Sequence, residues 1–237
     1  MAHHTISSVQ NGELFVRGET LTSLIASSSF LDGVFLLLRG DRPSESERAM
    51  LDAMLMACCE HGADPPSTAA VRVSISTGNE LHAALAAGLL AMGSKHGCAV
   101  SDAMLHFSRA ITSDVFVCDM ITSGRRIPGF GHKVYTESDP RTIALLARAR
   151  TLQYHGKHVT YALAVENELA IQKGRRLPLN IDGILAALLL ELRFPVEVGN
   201  AVFIMGRLPG LIAHAHATMC ETTYLRASTH GSDNVCE

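Results

Sequence analysis

Four polar residues stand out in an otherwise apolar chain of 237 residues: His61, His96, His132 and Asp182. Each falls at the end of a helical pattern or in a loop. Asp182 has Ile181, Ile184 and Leu185 as neighbours. Partial desolvation there favours its neutral form and makes it a better proton acceptor once ionised. Histidines donate hydrogen bonds to carbonyl oxygens whose negative charge grows during reaction. One such base with two such donors suits enolising a thioester and adding it to a ketone, or the reverse cleavage. Each residue also has a plainer reading: a histidine at a helix end caps it or faces solvent, and Asp182 before an apolar helix is an N-cap. The chemical reading rests on their occurrence together.

The cations follow a matching logic. Arg72, Arg141 and Arg207 are suited to clamping carboxylates in bidentate fashion, which lysine does less well. Lys173, Arg175 and Arg176 suit phosphates, or form a solvated loop at a helix C-terminus. Residues 125–142, "RRIPGFGHKVYTESDPRT", put His132 directly behind two glycines, Gly129 and Gly131, and end in Asp139-Pro140-Arg141. The glycines let backbone amides approach a ligand closely. A metal site fits less well. His214 and His216 in "HAH" lie about 200° apart around a helix and cannot share an ion.

The elements that must position these residues are mostly helices. Residues 10–20 read as a turn or hairpin around Gly12 and Gly18, and 21–40 as two short apolar helices. Ser44 and Glu47 form a capping box, behind which Met50, Leu51, Met54, Leu55 and Cys58 recur at helical spacing. That helix is expected to run into His61 and stop at Gly62. Residues 79–97 predict a small-residue helix in the middle of the fold, ending near Gly93 or Gly97. Asp139 and Pro140 match an N-cap and the first helical position. Further helices are expected over 161–173, from Asp182 to Leu192, and from Val196 to about Thr222, the last kinked at Pro209. Few segments alternate with strand period and no internal repeat is evident. The fold class is all-α.

Composition narrows the function. Nearly half the residues (47%) are apolar and the formal net charge is −3, so the chain is globular and has no global basic face for nucleic acid. The six cysteines show no C-x-x-C spacing, which argues against a zinc module or a disulfide framework and suits a reducing cytosol. The N-terminus "MAHHTISSVQNGE" lacks an apolar signal region, and the run "ILAALLL" is far short of the roughly 20 residues that span a bilayer. The expectation is a soluble, cytoplasmic protein without a membrane partner.

With these motifs in place the chain resembles the citrate synthase superfamily, most closely its short members, the citryl-CoA lyases and the equivalent module of ATP-citrate lyase. "PGFGHKVYTESDPRT" is similar to that family's PGFGH-R/K-VY…DPR signature, and "LNIDG" to its N-V-D segment. "LHAALAAGLLAMGSKHGCAV" resembles the segment holding G-P-L-H-G-G-A-N, and "CCEHGADPPSTAAVR" the A-D-H-E…S-T…A-R segment. "LFVRGETLTSLIASSSFLDGVFLLLRGDRPS" and "NAVFIMGRLPGLIAHAHA" are similar to its first helices and its late substrate-arginine helix. The likeness runs from about residue 12 to 226.

The resemblance implies a large helical part over about 12–125 and 180–226, with a smaller lobe over about 126–179. It implies that His96 holds a thioester carbonyl, His132 polarises the keto or hydroxyl oxygen, and Asp182 is the acid/base. His61, Arg141 and Arg207 would contact the carboxylates of citrate or oxaloacetate. The 127–133 loop, with Pro128, Gly129, Phe130, Gly131 and Lys133, would accept coenzyme A together with Lys173, Arg175 and Arg176. The thioester would be a substrate, with no metal or prosthetic group. A homodimer or an assembly of dimers is expected, with Arg226 reaching the neighbouring copy's active site.

The implied activity is cleavage of citryl-CoA to acetyl-CoA and oxaloacetate. The alternatives are a citrate or alkylcitrate synthase, and a helical partner subunit without activity. Three departures from the pattern matter. Only residues 45–59 join "GDRPS" to "EHGAD", where full citrate synthases carry a long helical insert. Val100 replaces the asparagine of G-G-A-N, and Lys95 precedes His96 where leucine is usual.

Overall fold

The computed structural model describes residues 5–109 and 111–221. It opens with a three-stranded antiparallel meander, β1 (Ser7–Gln10), β2 (Glu13–Val16) and β3 (Glu19–Thr20). Gln10 faces Glu13 and Val16 faces Glu19, so each connection is a two-residue turn. Asn11, Gly12, Arg17 and Gly18 all have positive φ, the geometry that two-residue hairpin turns require.

Among the described residues eleven α-helices follow: α1 (Leu21–Ser27), α2 (Phe30–Leu38), α3 (Glu45–Cys58), α4 (Pro66–Ser76), α5 (Leu81–Leu90), α6 (Val100–Phe107), α7 (Ser113–Thr122), α8 (Pro140–Thr151), α9 (Lys157–Lys173), α10 (Ile181–Glu191) and α11 (Gly199–Cys220). The all-α class holds. Ser44 caps α3 with Glu47 in the expected box, and the Asp139 side chain accepts from the Arg141 amide ahead of Pro140 at the start of α8.

The centre is α10. Every residue from Gly183 to Leu189 is buried, because the helix is apolar all round and finds neighbours on all sides. It packs on α3, α6, α8, α9 and α11. Ile184, Leu185, Leu188 and Leu189 each contribute about 1.5–3 kcal/mol by leaving water. A smaller apolar cluster joins α7 to α9 through Phe116, Val117, Met120, Val165 and Leu169.

Several expectations need correction. Helix α5 is peripheral rather than central: only Ala84 and Gly88 are buried, and the helix lies against α4 and α11. It also ends at Leu90, and Gly93 and His96 then exchange two backbone hydrogen bonds of 2.8 Å. Helix α3 stops at Cys58, leaving His61 in a loop. Helices α4 and α7 were not evident in the sequence. Both are rich in β-branched residues, a weak helix signal that tertiary packing overrides.

A pentapeptide also recurs, Gly-Arg-Arg-Ile-Pro at 124–128 and Gly-Arg-Arg-Leu-Pro at 174–178. Its glycine follows α7 in one case and α9 in the other, in left-handed conformation each time (φ 66° and 63°). By length and a mean hydropathy of 1.3 the segment Val196–Cys220 could cross a bilayer, so the expectation of no such stretch fails on composition alone. One side of α11 packs against α3, α4, α5, α6 and α10. The helix runs on through Pro209 to Cys220.

Candidate active site

The folding of α10 explains the glycine loop. Asn180 caps α10, its side chain accepting from the Gly183 amide at 3.2 Å, and its amide group donates to the Gly131 carbonyl at 2.8 Å. The Asn180 amide donates to the Gly129 carbonyl and the Gly131 amide to the Pro178 carbonyl. Backbones cross so closely that a Cβ on Gly183 would sit 2.4 Å from the Gly129 oxygen, and one on Gly129 would sit 2.7 Å from the Gly183 Cα. The glycines therefore admit α10 rather than only a ligand. The Gly131 amide is already paired, with the Pro178 carbonyl.

This crossing carries Asp182 to the second position of α10. Asn180 is the cap, so the N-cap reading of Asp182 falls away. Its Oδ1 is shut off from solvent and has no hydrogen-bond partner among the described residues. Burial raises its pKa to about 6, against the pull of the Arg141 and Arg207 charges. An orphaned buried carboxyl oxygen costs stability, and such costs collect at functional sites.

Two of the three histidines are anchored by one ring nitrogen, which fixes what the other offers. His132 Nδ1 accepts from the Val134 and Tyr135 amides, both at 3.1 Å, so the proton sits on Nε2. Its ring stacks on Tyr135 with centroids 4.6 Å apart. His96 Nε2 lies 2.9 Å from Ser67 Oγ and 3.4 Å from the Ser67 amide nitrogen. An amide donor there makes Nε2 the acceptor and puts the proton on Nδ1. Burial, then the Arg141 charge, lowers the pKa of His132; burial, then Arg207 and Lys133, lowers that of His96. His61 falls furthest, to about 4, through burial and the charges of Arg207 and Arg141. All three rings are neutral donors at pH 7.

Two arginines complete the group. Arg207 is 2% exposed. Its Nε donates to the Cys58 carbonyl at 2.8 Å, its guanidinium lies 5.4 Å from the centre of the Phe203 ring, and its Nη1 has no partner. Arg141 is gripped by the buried Asp139, Nε to Oδ1 at 3.0 Å and Nη2 to Oδ2 at 2.7 Å. Its Nη2 also faces His132 Nε2 at 3.5 Å. Both atoms are donors, so no hydrogen bond joins them. An oxygen between them would satisfy both. His61 and His132 stand edge to face with centroids 6.4 Å apart.

His61, His96, His132, Asp182, Arg141 and Arg207 thus converge from five separate segments. Lys133 lies close enough to His96 to depress its pKa. Phe130 packs inward on Phe107, with centroids 6.0 Å apart, and Pro128 is half-buried. Lys173, Arg175 and Arg176 are exposed just before the segment that pairs with the glycine loop, and Arg176 lies 4.0 Å from Glu166.

Arg72 does not join the group. It sits 4.0 Å from Glu221, about 20 Å along α11 from Arg207 at 1.5 Å per residue. Arg226 lies outside the described residues. Val100, where the family pattern has asparagine, is fully buried at the start of α6. The sequence reading missed Ser67 as the residue that orients His96, and Asn180 as the cap that frees Asp182. Asn180 precedes Gly183 by three residues, a capping offset that was there to be read.

Neutral imidazole donors, a carboxyl of raised pKa and two arginines around one space are suited to acid/base chemistry beside anionic groups. The chain belongs to the citrate synthase family: the model of the citrate synthase C-terminal domain matches residues 39–228. The solved citryl-CoA lyase of Hydrogenobacter thermophilus is similar at 37% identity and a TM-score of 0.89, with 98% of this chain and 93% of that one covered. The ATP citrate lyase of Methanosaeta concilii, solved with (3S)-citryl-CoA, is 25% identical with a TM-score of 0.80, covering 97% of this chain and 42% of that one. The citrate synthase of Haloferax volcanii is 29% identical over 206 residues, which is 84% of this chain and 54% of that protein. The probable ATP-citrate synthase of Dictyostelium discoideum is 35% identical over 163 residues, 60% of this chain and 26% of that protein. The chain thus spans between about a quarter and about half the length of these curated relatives.

Proposed function

We propose that the protein is a citryl-CoA lyase-type enzyme, cleaving citryl-CoA to acetyl-CoA and oxaloacetate. The observation that carries this is the orphaned Asp182 carboxyl, set among neutral histidines and two arginines. The likeness to a citryl-CoA lyase over nearly the whole of both chains supports it. In cleavage the bond between the hydroxyl-bearing carbon and the thioester methylene breaks, and its electron pair passes into the thioester as an enolate. His96 Nδ1–H donates to the thioester oxygen as charge develops there. His132 Nε2–H and Arg141 hold the hydroxyl oxygen, whose proton passes to solvent water as that oxygen becomes the oxaloacetate carbonyl. Protonated Asp182 gives its proton to the enolate carbon, yielding the acetyl methyl group. Arg207 and His61 take substrate carboxylates.

The condensing direction is a second reading, favoured by one observation. With a pKa of about 6, Asp182 is mostly ionised at pH 7 and so able to remove a methyl proton from acetyl-CoA. Incubating the protein with citryl-CoA, and separately with acetyl-CoA plus oxaloacetate, separates these readings by the mass of the products. Lyase activity gives acetyl-CoA and oxaloacetate from the first mixture. Release of free coenzyme A and citrate from the second would make it a synthase. No reaction in either would leave a partner subunit without activity.

Coenzyme A would lie across the glycine loop, with its phosphates on Lys173, Arg175 and Arg176. Each charge-assisted contact is worth about 1.5–3 kcal/mol, roughly 10- to 100-fold in affinity. Arg175→Ala with Arg176→Ala should therefore raise the dissociation constant for coenzyme A by at least about tenfold, read by calorimetry. Unchanged affinity would return these cations to a solvated loop. The exposed side of α5, with Leu81 and Leu90, together with Ile212 and Met219 of α11, is apolar and suits a homodimer joined there.

A further inference from the structure

We infer that Glu60 and His214 form a latch that positions His61 beside Arg207, making both of them positioning residues for the carboxylate pocket. This rests on the functional reading only for the identity of the ligand. His96 and His132 are each held by a hydrogen bond to a ring nitrogen. Among the described residues His61 has no such bond, so its backbone must set where its ring stands. That backbone lies in the loop between α3 and α4, which has no regular structure of its own.

Helix α11 supplies the missing anchor. Arg207, Gly210 and His214 follow one another at spacings of three and four and so share one face. They meet three consecutive residues of the chain leading to His61. Arg207 Nε donates to the Cys58 carbonyl. Gly210 lies under Cys59 so closely that a Cβ would be 2.2 Å from the Cys59 oxygen. His214 Nε2 donates to Glu60 Oε1 at 3.0 Å. The Glu60 carboxylate also accepts from the amides of His61 and Gly62. Burial pushes the Glu60 carboxyl up, but these bonds more than offset it and hold it below its ordinary value. Gly62 has φ 85°, which lets the chain turn back over the carboxylate. One carboxylate thus ties the His61 backbone to the helix that carries Arg207. A shift of either element moves both carboxylate-binding groups together.

The test is the titration of the His61 ring, followed by NMR in wild type, His214→Ala and Glu60→Ala, with the signal assigned by its loss in His61→Asn. In wild type the midpoint should lie near pH 4, held down by burial and the two arginines. Cutting the latch lets the ring move toward water, so both variants should raise the midpoint by a unit or more. The double variant should go no further, as expected for two halves of one contact. Glu60→Gln, whose amide oxygen accepts the same bonds, should keep the low midpoint. The KM for citryl-CoA should rise about tenfold in His214→Ala with kcat within about threefold, the signature of lost ground-state binding. Alanine is a good helix former at the partly exposed position 214, so that variant folds even where Glu60→Ala does not. An unchanged His61 midpoint in His214→Ala would overturn the latch, as would a shifted midpoint with KM unmoved. If the wild type does not cleave citryl-CoA, the functional reading fails while the titration still decides the latch.

Discussion

Asp182→Asn should lower turnover by about 10²- to 10⁴-fold, the usual worth of a positioned acid or base, while coenzyme A affinity changes little. Asparagine keeps the shape of the side chain but neither takes nor gives the proton. The same substitution should stabilise the fold at neutral pH. A carboxyl raised from 3.8 to about 6 binds its proton more tightly in the folded state than in the unfolded chain. Below pH 4 both states are protonated and the group is neutral to stability. Between pH 4 and 6 the unfolded chain ionises first, so stability falls as pH rises, and above pH 6 the loss is complete. Roughly two pKa units correspond to about 3 kcal/mol at most. Denaturant melts of the variant should gain up to that amount at pH 8 and almost nothing at pH 4. A variant both slower and no more stable at pH 8 would mean that Asp182 is paired in solution.

Arg207→Met should weaken binding of citrate or oxaloacetate by about 10²- to 10⁴-fold, on the basis of two lost charge-assisted bonds of about 1.5–3 kcal/mol each. The guanidinium is buried with Nη1 unmatched, so the desolvation has been met without the partner that would offset it. Methionine fills similar volume and removes the unmatched charge, at the cost of leaving the Cys58 carbonyl unsatisfied. These oppose, so stability should move by no more than about 1 kcal/mol. Calorimetry on the folded variant reads the affinity. A dissociation constant within threefold of wild type would place the carboxylates elsewhere.

Much of this was legible in the sequence wherever a local rule sufficed. The capping box at Ser44, the Asp139-Pro140 start of α8 and the glycine stop of α9 are all fixed by residues within four positions of one another. The apolar run from Gly183 to Leu190 marks α10 as a core helix. The six residues of the candidate site stood out by type and by family pattern.

Their settings were not, because those depend on contacts between distant segments. Ser67 reaches His96 across 29 positions, and Glu60 reaches His214 across 154. Asp182 could be taken for a cap until Asn180 was seen to hold that place. Helix α5 was placed in the centre because its small residues suit close packing. That property is used at Ala84, which is fully buried, and at Gly88, where a Cβ would meet the Val71 side chain at 2.4 Å. Arg72 looked like a carboxylate clamp by type alone, and α4 carries it toward Glu221 instead.

The central claim is that Asp182 moves the proton at the acyl carbon. It is tested most directly by exchange of the acetyl-CoA methyl protons with deuterated water in the presence of an oxaloacetate analogue. The wild type should wash deuterium into the methyl group, faster as pH rises through about 6, where Asp182 ionises. Asp182→Asn should lose that exchange by about 10²-fold or more. Exchange at the wild-type rate in Asp182→Asn would contradict the account and leave the carboxyl a buried residue of α10 without a part in the chemistry.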